Sequence, residues 1–333
     1  AILQMSYASQ IISGGASASN AVIDALAGHA PFATLAEKDG LGIQTRDAED
    51  GEMLSAGIAL SLDSGVLSES DRSTTPYLTI EVDGKTPEAV AEGMLEKIKA
   101  KSSSSSSAVT VGKVVTIVGL SGVGKGTTVS CLRSLLASER EDKDVSKVLC
   151  WSNGNIFRSL TMLTSLHMEQ NGLSDVGAVI GGSGAADLKK TLMGMLKFER
   201  NPTTNLFDTH IVGLGVDYWV KDIETTVLKG PLVSGKIPTV AKSTQGEVVK
   251  FVRGAVDLLT REGGVDVIVE GRAETVDFIV SENRYELVMA DGSVIGMRRA
   301  AQRVAGELVK EGLEATEADD AVIEKLKAVV DRL

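Results

Sequence analysis

Four short runs of mostly apolar residues alternate with helical patterns along the second half of the chain. They occupy Val114–Val118, Val145–Trp151, Val265–Val269 and Tyr285–Ala290, and the first and third are rich in β-branched residues. Short runs of this kind are typical of strands that are buried on both faces of a parallel sheet. A long helical pattern that ends near Leu259 precedes the third run. This alternation predicts an α/β fold, a three-layer α/β/α arrangement with a mainly parallel sheet.

A further strand and helix precede these four runs. Residues 77–83 alternate between apolar and polar side chains, as in a strand with one exposed face. Gly84 permits a turn, and Thr86 followed by Pro87 is a strong helix-start pattern. Apolar residues then recur every four positions, at Val90, Met94 and Ile98. The pattern predicts a strand–turn–helix unit over residues 76–101.

The first 75 residues show no comparable pattern. An amphipathic stretch near Ala21–Leu26 is followed by a polar, glycine-rich region, and the charge cluster Arg46–Asp50 is interpreted as a solvated loop. We assign residues 1–75 to an N-terminal extension of unknown role, either a surface that wraps a protein partner or a loosely ordered segment.

A run of serines at 102–107 can bury almost nothing, and it predicts a flexible linker over residues 102–110. Two interpretations of the run stay open, a native linker and an error in the sequence. The linker leads into a predicted domain that spans residues 111–333.

A glycine-rich turn, the glycine loop, follows the first apolar run. Its sequence, Gly119-Leu-Ser-Gly-Val-Gly-Lys-Gly-Thr-Thr128, leads directly into a helical pattern. Glycine lacks a Cβ atom, so such a turn can bring backbone N–H groups up to an anion. Lys125 adds a mobile positive charge at the helix N-terminus, where the helix dipole also favours negative groups. The loop is predicted to bind phosphate, and the alternative is a turn with only a structural role.

The usual P-loop pattern has Ser or Thr directly after the lysine, whereas Gly126 takes that place here. The Gly-Lys-Gly-Thr ending resembles the variant found in nucleoside monophosphate kinases. The residues expected to hold the phosphates of a nucleotide are Gly119, Ser121, Gly122, Gly124, Lys125, Gly126, Thr127 and Thr128.

Charged residues near the ends of other predicted elements are candidates for the same site. Arg158 lies in the first turns of a predicted helix, and Glu270 and Arg272 follow a predicted strand, where open α/β sheets bind ligands. Arg299 and Arg303 are about one helical turn apart and share a face. Guanidinium groups can bind phosphate through paired N–H donors. The structural alternatives are a surface ion pair for Arg158, an internal pair for Glu270 and Arg272, and a solvated helix face for the last two.

Composition narrows the classes of function. The chain has 333 residues, 43% of them apolar, and a net charge of −11. That charge argues against a broad nucleic-acid surface, and 4% aromatic residues argue against RNA recognition by stacking. No run approaches the ~18 apolar residues needed to cross a bilayer, so we expect a soluble intracellular protein, with cytoplasm and organelle not distinguished. His167 and His210 stand alone in the sequence and are interpreted as packing or surface residues.

Taken together, these segments resemble cytidylate kinase, of the nucleoside monophosphate kinase group, over about residues 112–305. The glycine loop is similar to the family P-loop, and three further segments match in family order. They are Asn153-Gly-Asn-Ile-Phe-Arg158, Ile237-Pro-Thr-Val-Ala-Lys242 and Glu270-Gly-Arg-Ala273. The resemblance implies ATP-dependent phosphoryl transfer to a nucleoside monophosphate, with ATP and Mg²⁺ bound.

The resemblance also implies roles for individual residues. Lys125 would hold the β/γ-phosphates of ATP, and the magnesium ion is placed near Thr127 and Glu270. The residues that would bind the acceptor nucleotide are Asn153, Arg158, Lys242 and Arg272. The residues that would stabilise the transferred charge are Lys125, Arg272, Arg299 and Arg303. Phosphoryl transfer is mostly positioning and charge stabilisation, so these cations would be the catalysts.

Two alternatives to a kinase stay open. Ser152, Lys242 and Ala273 depart from the family pattern, and lysine cannot make the planar fork of arginine. These departures favour a non-catalytic, nucleotide-binding or degenerate kinase-fold subunit of a larger assembly. A P-loop NTPase that drives a partner is the other alternative, with Glu270 as its only candidate for positioning water.

The order of the segments suggests a circular permutation. Ile80-Glu-Val-Asp-Gly-Lys-Thr-Pro-Glu-Ala-Val90 resembles the C-terminal strand and helix of the family, yet it precedes the glycine loop. Permutation is tolerated where chain termini lie close together at the surface. The hypothesis requires Leu78–Val82 to form an edge strand in the same sheet as Val114–Val118.

Overall fold

The computed structural model describes residues 5–102, 112–261 and 264–333. The predicted linker therefore lies outside the described residues except for Ser102. Contacts between Cα atoms divide the chain into two compact units. We name them the helical unit, formed by the described residues of Ala1–Glu49, Ser121–Val123 and Met289–Leu333, and the sheet unit, formed by those of Asp50–Leu120 and Gly124–Val288.

The helical unit is built from amphipathic helices around one apolar core. Its described helices are α1 (Tyr7–Ser13), α2 (Gly15–Ala25), α12 (Gly292–Lys310), α13 (Asp319–Val330) and the part of α3 (Ala30–Asp63) up to Glu49. Apolar residues of α12 recur at helical spacing and are buried in this core together with those of α2 and α13. Representative members are Val22, Ala301, Val304, Leu326 and Val329.

The sheet unit contains a parallel sheet that is buried in its central strands. Over the described residues its strands pair in the order β1–β8–β2–β7–β3, and all four pairings are parallel. The strands are β1 (Leu78–Glu81), β2 (Val114–Val118), β3 (Val148–Ser152), β7 (Asp266–Gly271) and β8 (Asn283–Val288). The predicted α/β fold with a parallel sheet is confirmed.

A second, antiparallel sheet lies in the same unit. Its strands β4 (Leu196–Arg200), β5 (Phe207–Gly213) and β6 (Val216–Trp219) pair in chain order. The helix that precedes this sheet ends at Gly194, and β4 begins at Leu196. Phe198 and Phe207 stack on each other across this sheet with ring centroids 5.7 Å apart. Cross-strand packing of this kind decides the strand, and a single-sequence periodicity does not show it.

The remaining helices of the sheet unit pack around the two sheets. Six of the described ones, from α6 (Asn153–Asn171) to α11 (Ala273–Val276), contribute apolar side chains to one core with β2, β3 and β7. The helices are α4 (Pro87–Ser102), α5 (Lys125–Glu139), α6 (Asn153–Asn171), α7 (Val176–Gly181), α8 (Ala185–Gly194), α9 (Val220–Ile223), α10 (Ile237–Arg261), α11 (Ala273–Val276) and the last part of α3.

Strand β1 takes an edge position beside β8, with Leu78 opposite Tyr285 and Ile80 opposite Leu287. This is the placement that the hypothesis of a permuted chain requires. The helix that follows β1 is α4, which begins at Pro87 as the sequence predicts.

The described part of the first 75 residues is divided between the two units. The described residues up to Glu49 group with Met289–Leu333, and the later part of α3 groups with the sheets. The functional boundaries at 75 and 111 stay a prediction. The interpretation of Arg46–Asp50 as a solvated loop was wrong. These residues lie inside the 34-residue helix α3, and Asp47 is buried, with 7% of its surface exposed.

Helix α3 is held by close contacts at glycine. In the helical unit, a Cβ atom on Gly296 would lie 2.2 Å from the carbonyl oxygen of Ala36 and 3.0 Å from Cα of Gly40. In the sheet unit, a Cβ atom on Gly57 would lie 2.6 Å from the carbonyl oxygen of Lys242. At each of these two places the backbone of α3 and that of the neighbouring helix, α12 or α10, are so close that only glycine fits.

Candidate functional site

The glycine loop joins β2 to α5. Strand β2 ends at Val118 and α5 begins at Lys125. Gly122 has φ +83° and Gly124 has φ +92°, both in the left-handed region that disfavours other residues. A loop with such turns can point successive N–H groups towards one side, which is the arrangement that binds anions.

Lys125 folds back over this loop. Its Nζ atom donates hydrogen bonds to the carbonyl oxygens of Gly119 and Leu120, each at 2.7 Å. The ammonium group therefore lies along the loop, at the first residue of α5, where the helix dipole favours anions. This is the position from which a lysine can reach phosphate oxygens held by the loop.

The residues after Lys125 differ in exposure. Thr127 is exposed and its hydroxyl donates to the carbonyl oxygen of Gly124 at 2.9 Å. Thr128 is buried, and its N–H also donates to that carbonyl, at 3.0 Å. A Cβ atom on Gly126 would meet no atom within 4 Å, so the absence of a side chain there is not required by packing.

Glu270 and Arg272 lie at the carboxyl end of β7, beside the glycine loop. Ile117 pairs with Glu270 and Val118 with Gly271 in the parallel register of β2 and β7. Burial raises the pKa of Glu270, and the nearby Lys125 ammonium opposes that rise. Arg272 Nη2 lies 3.7 Å from Oδ2 of Asp50, a residue of α3. The structure thus brings Lys125, Glu270 and Arg272 to one end of the parallel sheet, where such folds bind ligands.

Asn153 and Arg158 begin the helix that follows β3 at the same end of the sheet. Oδ1 of Asn153 accepts a hydrogen bond from Nε1 of Trp151 at 3.1 Å. Its Nδ2 atom is buried and has no partner among the described residues. Arg158 is half-buried, and its Nη1 donates to Oδ1 of Asn155 at 3.2 Å. Lys242 is exposed on α10.

Arg299 and Arg303 lie on α12, in the helical unit, whereas Lys125, Glu270 and Arg272 belong to the sheet unit. Arg299 is exposed, and the guanidinium of Arg303 pairs with the carboxylate of Asp39. The grouping of all these charges in one catalytic site stays a prediction.

One polar contact of the glycine loop was not predicted from the sequence. The backbone N–H of Ser121 donates to Oδ2 of Asp47 at 2.7 Å, and both residues belong to the helical unit. Asp47 is separated from Ser121 by 74 positions. No local pattern marks it, because the position looks like any other acid in a charged stretch.

Over the residues that the structure describes, no group of three or more His, Cys, Asp or Glu side chains is placed to hold a metal ion. Magnesium commonly binds through one or two protein oxygens together with substrate phosphates. Thr127 and Glu270 are donors of that kind, since each carries an oxygen close to the glycine loop in sequence or in strand register.

None of the helices in the described ranges is both long enough and apolar enough to span a bilayer. Comparison with models of known protein families and with curated proteins gives no match.

Proposed function

We propose that this protein binds the phosphates of ATP at the glycine loop and transfers a phosphoryl group to a nucleoside monophosphate. The observation that carries the proposal is the loop itself, with left-handed glycines at 122 and 124 and Lys125 at the start of α5. Glu270 and Arg272 at the end of the adjacent strand support it. A glycine turn with only a structural role has no need of this set of charges.

In phosphoryl transfer these residues would position the two substrates and stabilise the negative charge of the transferred group. Lys125 would exchange its two carbonyl partners for phosphate oxygens, which are stronger acceptors because they are charged. Arg272 and Arg158 would hold the acceptor phosphate by paired N–H donors. Magnesium, when bound, would neutralise charge on the phosphates.

The first test is removal of the lysine. Lys125→Ala should reduce turnover of ATP with Mg²⁺ and CMP, UMP, AMP or dCMP by at least about a hundredfold, since such stabilising groups contribute on that scale. The measurement is nucleoside diphosphate formation by the purified chain.

Lys113→Ala is the matched control. Lys113 is exposed and directly precedes β2, at the opposite end of the strand from the glycine loop. Its loss should leave turnover unchanged. Equal turnover in wild type and Lys125→Ala would contradict the proposal.

A second candidate function is a non-catalytic subunit with the kinase fold. The observation that favours it is the internal pairing of candidate phosphate ligands, in which Ser121 N–H is bonded to Asp47 and Arg303 to Asp39. Binding of ATP without transfer to any of the four acceptors would favour this candidate over the kinase.

A further inference from the structure

Three carboxylates of α3 form hydrogen bonds or ion pairs with groups that the proposed function assigns to phosphate. Asp47 accepts the Ser121 N–H, Asp50 lies 3.7 Å from Arg272, and Asp39 pairs with Arg303. The first and third contacts lie within the helical unit and the second within the sheet unit.

The three acids share one side of the helix. At about 100° per residue, Asp39, Asp47 and Asp50 fall within about 80° of one another around the axis. The other carboxylates of this part of α3 are exposed and make up a separate set: Glu37, Glu49 and Glu52. The helix thus presents its buried and half-buried carboxylates selectively to cations and to an N–H donor.

Asp47 is hydrogen-bonded to the glycine loop itself. Its Oδ2 lies 2.7 Å from the Ser121 nitrogen, a distance typical of a charge-assisted hydrogen bond. With 7% of its surface exposed, the side chain is held away from water. A buried carboxylate is costly unless it is hydrogen-bonded. The Ser121 N–H supplies such a bond to Asp47, and a bound phosphate oxygen could accept the same bond.

We infer that Asp47 is an internal phosphate mimic, which occupies an anion position of the glycine loop until the polyphosphate of a nucleotide displaces it. The inference rests on the proposed function for the identity of the ligand. Within the helical unit α3 is closely packed, since a Cβ atom on Gly296 would lie 3.0 Å from Cα of Gly40. Displacement is therefore expected to rotate the Asp47 side chain and to leave the helix in place.

This arrangement sets the apparent affinity for nucleotide. A ligand that must displace a bound group binds more weakly by the factor that measures how rarely the site is open. Asp47→Asn removes the charge while keeping nearly the same shape, so it should bind Mg-ATP at least tenfold more tightly than wild type. The measurement is isothermal titration calorimetry with Mg-ATP, repeated with inorganic tripolyphosphate.

Glu49→Gln is the matched control. It makes the same change of charge two residues away on α3, at an exposed position. Its affinity should equal that of wild type. If Asp47→Asn destabilises the fold, Asp47→Ser provides the same comparison, and the rise in Tm on adding tripolyphosphate replaces calorimetry.

Equal affinity in wild type and Asp47→Asn would overturn the inference, and so would an equal gain in Glu49→Gln, which would show a general effect of charge. A tenfold gain in Asp47→Asn without transfer to any acceptor would support the mimic and overturn the kinase. Absence of binding by every variant would overturn both.

Discussion

Asp47 shows how much the role of one residue depends on its surroundings. An exposed aspartate on a helix has almost no consequence for stability, because water screens its charge. Asp47 is buried beside a backbone donor of the glycine loop, and we infer that its carboxylate competes with a phosphate for the same N–H group. The prediction that belongs to it is the gain in nucleotide affinity on Asp47→Asn.

His210 is a second residue whose partners come from separate strands. Its Nδ1 lies 2.7 Å from Glu199, its Nε2 lies 2.7 Å from Asp217, and its ring stacks on Trp219 at 4.2 Å. Burial lowers the pKa of His210, but the hydrogen bonds to Asp217 and Glu199 outweigh that effect and raise it above its usual value. The sequence-based interpretation as an ordinary packing or surface residue missed this cluster.

A histidine whose pKa is raised by folding stabilises the protein most in its protonated form. The contribution of His210 should be complete below the unfolded pKa of about 6.5 and lost as the pH rises through the folded value. His210→Gln should lower the unfolding free energy at pH 6 by only about 1 kcal/mol, because both carboxylates are partly exposed. The loss should be smaller at pH 8, because the contribution fades as the pH rises through the folded pKa. Chemical denaturation at both pH values checks this.

His167→Gln controls for the loss of a histidine as such. His167 lies on α6, outside the cluster on the antiparallel sheet. A difference between pH 6 and pH 8 that is as large for His167→Gln as for His210→Gln would contradict the account.

At the scale of elements, α3 packs closely against α10 at a glycine, Gly57. A Cβ atom on Gly57 would lie 2.5 Å from Cγ of Gln245 and 2.6 Å from the carbonyl oxygen of Lys242, which is backbone and cannot move aside. Near this crossing the backbone N–H of Gly246 donates to Ser61 Oγ at 2.9 Å in a buried position. Helix propensity alone would disfavour glycine here, so close packing explains its presence.

Gly57→Ala should therefore destabilise the protein by about 1–3 kcal/mol through overpacking, although alanine is the better helix former. Gly42→Ala is the matched control on the same helix, since a Cβ atom there would meet nothing within 4 Å. It should raise stability by up to about 1 kcal/mol. Thermal or urea unfolding measures both, and a neutral Gly57→Ala would show that α10 can shift.

At the scale of the whole molecule, the order of strands in the parallel sheet differs from their order along the chain. β1 comes before the glycine loop in sequence, yet it pairs with β8 in register from Leu78 to Glu81. α4, which follows β1, packs on α5, which follows the loop. Segments on both sides of residues 103–110 are thus joined by noncovalent contacts.

Cleavage in this connection should not separate the two parts. With a protease site placed within residues 103–107, the cut protein is expected to elute as one species on size-exclusion chromatography in native buffer, and as two in denaturant. The uncut chain carrying the same site is the control. Separation in native buffer would show that the pairing of β1 with β8 and of α4 with α5 does not hold the parts together.

Local patterns were enough for much of the fold. The apolar runs at β2 and β7 predict buried strands because their side chains must leave water on both faces of the sheet. The glycine loop and Lys125 are adjacent in sequence, so composition and order alone predict its strand-to-helix turn, and phosphate binding there stays a prediction. Thr86 and Pro87 mark the start of α4 for the same local reason.

Contacts between distant parts of the chain decided the rest. Helix α3 has a weak apolar pattern, and its position depends on glycine contacts with α10 and α12, which no local pattern records. The partners of Arg303, Arg272 and the Ser121 N–H are acids that lie 264, 222 and 74 positions away. Hydrogen bonds and ion pairs act over a few ångströms and do not depend on how far apart the residues are in the sequence. Only the folded structure could therefore show which groups are paired.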